Sequence, residues 1–165
     1  MSSTSLWSAQ PIRVTPCVIN RFSSCEINVT QKSLHFLPFA SLPAISRGKG
    51  IVNYLIATKK TGARVVHTGI SELPVGVPVP RHSHNAEEQV TVLEGKVKIM
   101  LGDQEQICER FDSTFISAGV EHELVNVGEE TAYVLVVYGS SAVNRTFAAT
   151  GETVGIGSPE DRFAT

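Results

Sequence analysis

Cysteine is scarce in this chain: Cys17, Cys25 and Cys108 are the full complement. They are too few and too scattered for a disulfide framework, and no CxxC pair offers a thiolate zinc site. A reduced, cytoplasmic setting is the expectation. Long apolar runs are missing as well. Stretches such as Val134–Val137 fall far short of the roughly 20 apolar residues that a bilayer-spanning helix needs, which argues against an integral membrane protein. There is no basic excess, with 14 Lys+Arg against 16 Asp+Glu and a net charge of -2. A nucleic-acid-binding surface is therefore not expected. Helical periodicity is absent over any long stretch. So are a second carboxylate pair for glycosidase work, a Ser/His/Asp arrangement and a glycine-rich phosphate cradle.

What remains is the composition of a soluble globular protein, 42% hydrophobic and 18% charged. At 165 residues the chain is long enough for one domain with a full core. Residues 1–30 show no sustained period and read as a flexible N-terminal arm. Met1–Gln10 has neither the basic nor the apolar part of a secretory signal. The first acidic residue is Glu26, and the Ser- and Thr-rich stretch before it, with Arg13 and Arg21, faintly resembles an organellar transit segment. Leu34–Phe39 and the residues up to Gly50 read as an irregular apolar strap, because Pro38 and Pro43 oppose a helix. The strap is expected to end in a turn at Arg47–Gly50 and to pack on the domain or on a second subunit.

From Ile51 the chain reads as strand after strand. Ile51–Thr58, Arg64–Ile70, Glu88–Leu93, Lys96–Leu101, Gln106–Cys108, Ser113–Ile116, Glu121–Val127 and Ala132–Tyr138 are rich in β-branched and aromatic residues. Glu94-Gly95 reads as a hairpin turn and Gly102-Asp103 as the next. A closing strand is expected near Arg145–Ala148. Turn signals recur roughly every 8–12 residues, the pattern of an antiparallel sandwich or barrel. Residues 31–165 thus form a single all-β domain.

Chemistry concentrates in the histidines. His82 and His84 stand two apart, so on a strand both imidazoles face one side. Glu88 begins the apolar strand that continues through Val90 and Val92, and it shares their inward phase. A carboxylate carried inside needs a compensating partner, and a cation is one. His122 heads another apolar strand. Three imidazoles and a carboxylate suit one divalent ion among Fe, Mn, Ni, Zn, Co and Cu.

Residues Gly76–Gly95 read Gly-x5-His-x-His-x3-Glu-x6-Gly. Phe111–Asn126 matches Gly-x5-Pro-x-Gly-x2-His-x3-Asn at Gly119, His122 and Asn126, with Phe111 in place of the first glycine and Ser117 in place of proline. Both departures are turn positions and not ligand positions. These stretches resemble the two signature motifs of the cupin superfamily, over a barrel core of about residues 50–140. The resemblance implies a double-stranded β-helix (jelly-roll) barrel holding one metal per chain on His82, His84, Glu88 and His122. It also implies a homodimer.

Strand phase supplies a lining for the pocket: Val90, Val92, Ile99, Leu124 and either Val136 with Tyr138 or the alternate phase of that strand. The lining is mostly aliphatic, which favours a small apolar or aromatic substrate. His67 lies on an earlier strand and either acts as an acid or base or caps the sheet. Arg81 reads as a surface residue, and so does Arg145, with a place near the barrel mouth binding an anionic group as its alternative. Two enzyme classes fit the ligand set. One is an iron-dependent dioxygenase. The other is a redox-neutral lyase, isomerase, decarboxylase or cyclase in which Glu88 or His67 moves a proton. A non-catalytic small-molecule-binding protein ranks below both.

Overall fold

Alternation of side chains across pleated strands organises the molecule. A computed structural model describes residues 35–163. The expected arm and transit-like stretch lie outside them. The strands are β1 (Ala44–Gly48), β2 (Ile51–Leu55), β3 (His67–Leu73), β4 (Pro78–His84), β5 (Glu88–Glu94), β6 (Val97–Leu101), β7 (Gln104–Cys108), β8 (Ser113–Ile116), β9 (His122–Asn126), β10 (Ala132–Tyr138), β11 (Asn144–Phe147) and β12 (Thr153–Gly155). They form two six-stranded antiparallel sheets, ordered β1-β2-β3-β10-β5-β8 and β12-β11-β4-β9-β6-β7. This is the jelly-roll barrel that the motifs imply. No described helix is long and apolar enough to cross a membrane.

Burial follows the pleat. On β5, Glu88, Val90 and Val92 are buried while Gln89 is exposed. On β10, Ala132, Val134, Val136 and Tyr138 are the buried phase. That settles which face of this strand turns inward. The two inner faces close over a core that includes Ile51, Leu73, Val90, Val92, Val97, Ile99 and Val134. Burying each such side chain stabilises the fold by about 1.5–3 kcal/mol.

Three expectations are corrected. The apolar strap is not irregular throughout: Ala44–Gly48 pairs with β2. Pro43 precedes the strand and removes no ladder donor. The outer part of the strap, Phe36, Leu37 and Phe39, is exposed, although the Phe39 ring lies 4.7 Å from that of Tyr54. Secondly, Glu94-Gly95 is not a hairpin turn. The strand before it belongs to one sheet and the strand after it to the other. Gly95 has φ +88, and a Cβ there would lie 2.6 Å from that of Ala132, so the crossing requires glycine. Thirdly, Thr153–Gly155 adds a strand beside β11 that the sequence reading lacks. The hairpin at Gly102-Asp103 is present, joining the paired strands β6 and β7.

Phe111 explains one departure from the motif. It occupies the left-handed region with φ 74, the conformation that the motif's glycine adopts freely. A side chain there costs about 1–2 kcal/mol. Phe111→Gly is therefore expected to raise stability by about 0.5–1 kcal/mol, after the entropy that glycine adds to the unfolded chain. Thermal denaturation checks this, and a lower midpoint would show that the turn carries no such strain.

Candidate metal centre and pocket

Both sheets contribute to one cluster. His82 and His84 come from β4, His122 from β9 and Glu88 from β5. One potential ligand atom from each lies within 4.8 Å of all the others, and all four residues are buried. Register explains the convergence. His82 pairs directly with His122, and an extra residue on β4 between Val79 and His82 forms a bulge that brings both of these residues to the buried face. The imidazole centroids of His82 and His122 are 4.2 Å apart, and those of His82 and His84 are 4.7 Å apart.

Each imidazole is fixed from behind by the main chain. Nδ1 of His82 donates to the Pro80 carbonyl at 2.5 Å, Nδ1 of His84 to that of Asn144 at 2.6 Å, and Nδ1 of His122 to that of Val120 at 2.9 Å. With the proton on Nδ1, each Nε2 presents a lone pair. Backing of this kind fixes the tautomer of metal-ligating histidines. The Nε2 atoms of His84 and His122 and Oε2 of Glu88 are buried without a hydrogen-bond partner. Glu88 Oε2 is 2.9 Å from His122 Nε2 and 3.4 Å from His84 Nε2. These contacts are close, but they are not aligned as hydrogen bonds. Buried polar atoms left this way are costly. A cation among them would satisfy all three, so the residues present fit a divalent metal.

Protonation favours the same use. Burial holds His82 well below the usual imidazole range, with Arg145 and the other imidazoles adding to the effect. Burial likewise lowers His84 to about 4, against the opposing pull of Glu88. Both rings are therefore neutral donors near pH 7.

Beside the cluster lies a cavity that opens in part to solvent. His67, Leu124, Val136, Tyr138, His82 and Glu88 line it. Tyr138 pairs across β10 with His67 on one side and Glu88 on the other, so these three form one cross-strand row. The rings of His67 and Tyr138 meet edge to face at 5.8 Å. Burial lowers the His67 pKa and raises that of Tyr138. Val90, Val92 and Ile99 share the inward phase, but they sit in the packed core and not on the cavity wall. Phase alone does not separate core from cavity.

The wall is also more polar than expected, since Asn53, Ser71 and Arg145 join it. Arg145 is not a surface residue: it is 4% exposed and pairs across the ladder with His84. Arg47 and Asp161, read in no site role from the sequence, form a buried ion pair close to it. Arg81 lies outside the cluster and bonds Glu121 at 2.8 Å. Asn126 has a structural part, its amide nitrogen donating to the Leu73 and Glu130 carbonyls.

The family model for the cupin domain matches residues 69–138. No curated protein sequence matches the chain. Among solved structures the barrel resembles an RmlC-like cupin from Shewanella frigidimarina, with a TM-score of 0.59 and 16% identity over 66% of this chain and 92% of that one. It is also similar to the polyketide cyclase RemF from Streptomyces resistomycificus, with a TM-score of 0.60 and 20% identity over 78% of this chain and 89% of that one. A predicted oxalate decarboxylase from Thermotoga maritima aligns with a TM-score of 0.57 and 18% identity, over 64% and 99% of the respective chains. At these identities the likeness concerns the fold.

Proposed function

We propose that this chain is a metal-dependent cupin enzyme acting on a small organic substrate, since the cupin-domain model matches residues 69–138 and three imidazoles and a carboxylate gather about one point. The observation that carries the reading is the set of buried, unpartnered atoms on His84, His122 and Glu88, gathered beside a cavity that opens in part to solvent. His82, His84 and His122 would hold the ion through Nε2, and Glu88 would hold it through its carboxylate. A bound divalent ion would supply an electrophilic centre for activating substrate, and, if it is iron, dioxygen. The leading reading is an iron-dependent dioxygenase. The chain's own part is to orient the substrate against Leu124 and Val136 and to limit its contact with water.

A second reading, redox-neutral chemistry of the lyase, isomerase, decarboxylase or cyclase type, draws on the row His67–Tyr138–Glu88. His67 faces the cavity with its pKa lowered by burial, and a neutral imidazole there can accept a proton from bound substrate. Metal analysis by mass spectrometry, on protein prepared without oxygen or chelator, separates the readings. About one iron per chain with substrate-dependent oxygen uptake is expected. One manganese, nickel or zinc ion with no oxygen uptake would favour the second reading. No metal after reconstitution would sink both and leave a binding protein.

A further inference from the structure

We infer that Arg145 is the anion-binding element of a substrate subsite next to the metal centre, and that the ligand is a small monocarboxylic acid with an apolar or aromatic body. The inference deepens the reading above and rests on it for the identity of the site. Arg145 is 4% exposed and lines the cavity together with His82 and Glu88. Its Nε and Nη1 atoms are buried and have no hydrogen-bond partner. A guanidinium in that position is expensive unless something anionic meets it.

The carboxylates within reach are already engaged. Asp161 binds both terminal nitrogens of Arg47, and its Oδ2 also accepts the Gly157 N–H at 2.9 Å. It approaches Arg145 only to 3.5 Å at Nε, without hydrogen-bond alignment. Glu88 faces the imidazoles. Phe163 supports the group from the side, with the Arg145 guanidinium carbon 5.0 Å from its ring centroid. Arg145 is thus positioned by its neighbours while donors remain free. A planar guanidinium fork matches a carboxylate in particular.

Charge counting points the same way. Apart from the imidazoles, the described buried ionic groups are Arg47 and Arg145 against Glu88 and Asp161, which cancel. A divalent cation on the ligand set would leave the cavity positive, and an anionic ligand offsets part of that excess. Hydrocarbon surface is provided by Leu73, Leu124, Val134 and Val136 on the same wall.

The test is calorimetric titration of the full-length, metal-free protein with benzoate and with its neutral isostere benzamide. Benzoate is expected to bind about tenfold tighter or more, the ratio that one charged hydrogen-bonded contact supplies. Arg145→Gln should erase that preference, and Arg145→Lys should keep part of it. Equal affinity for the two probes, no binding of benzoate, or an unchanged preference in Arg145→Gln would overturn the inference. If Arg145→Gln does not fold, the wild-type ratio and Arg145→Lys decide. Metal content is measured on the same wild-type preparation before the ion is removed. A benzoate preference in protein that takes up no metal would leave the subsite standing and remove the metal reading. Metal loading with no preference would do the reverse.

Discussion

His84→Ala is expected to yield a folded protein that has lost its metal and its activity. The ring contributes one of the four ligand atoms, and its Nε2 has no other partner to lose. Metal affinity should fall by at least about 100-fold, since even the outer hydrogen-bond partners of ligands are worth 10–100-fold. The fold should survive because the core strands do not depend on the ring. What is lost is its bond to the Asn144 carbonyl and its packing 4.8 Å from the Tyr138 ring. That amounts to about 1–3 kcal/mol. Mass spectrometry of metal content, with circular dichroism for the fold, makes the check. Full metal loading in this variant would mean that the ion is held elsewhere.

Asp161→Ala should act in the opposite manner, leaving the metal ligands intact while weakening the whole barrel. Asp161 is fully buried and lies between two guanidiniums, Arg47 and Arg145. Removing one partner of a buried ion pair strands the other charge and costs about 3–5 kcal/mol. Here Arg47 would be stranded close to a second cation, Arg145. Burial and Arg145 already lower the Arg47 pKa to about 10, so Arg47 stays charged at neutral pH. For a domain of this size the melting midpoint should drop by roughly 10 °C or more. A shift of only about 2 °C would show that water or rearrangement relieves the cluster.

The contrast between these two sites reflects what the sequence made legible. His82, His84 and Glu88 fall within seven residues, and strand phase orients all three. His122 was legible as the head of another apolar strand, and the second motif then matched its spacing. Most strands were readable from β-branched runs and turn signals, because those are local properties. Sheet membership was not. The step at Gly95 looks like a hairpin until Ala132, far along the chain, is seen to crowd it. Arg47 and Asp161 stand 114 residues apart. Nothing near either residue marks it as buried, and charged residues lie at the surface by default. Arg145 was misplaced for the same reason: its burial depends on β12, Asp161 and Phe163, which meet it only in the folded chain.

The anchoring of the imidazoles has an evolutionary corollary. Their orientation is written into main-chain carbonyls of Pro80, Val120 and Asn144, which any residue at those positions supplies. Much of the cavity wall is instead drawn from side chains on β2, β3 and β10, such as Asn53, Ser71 and Val134. Substitutions there can remodel substrate preference without disturbing the tautomers of the ligand set. A designer, or selection, can therefore vary the two layers separately, diversifying the wall as a library while the inorganic centre is inherited unchanged.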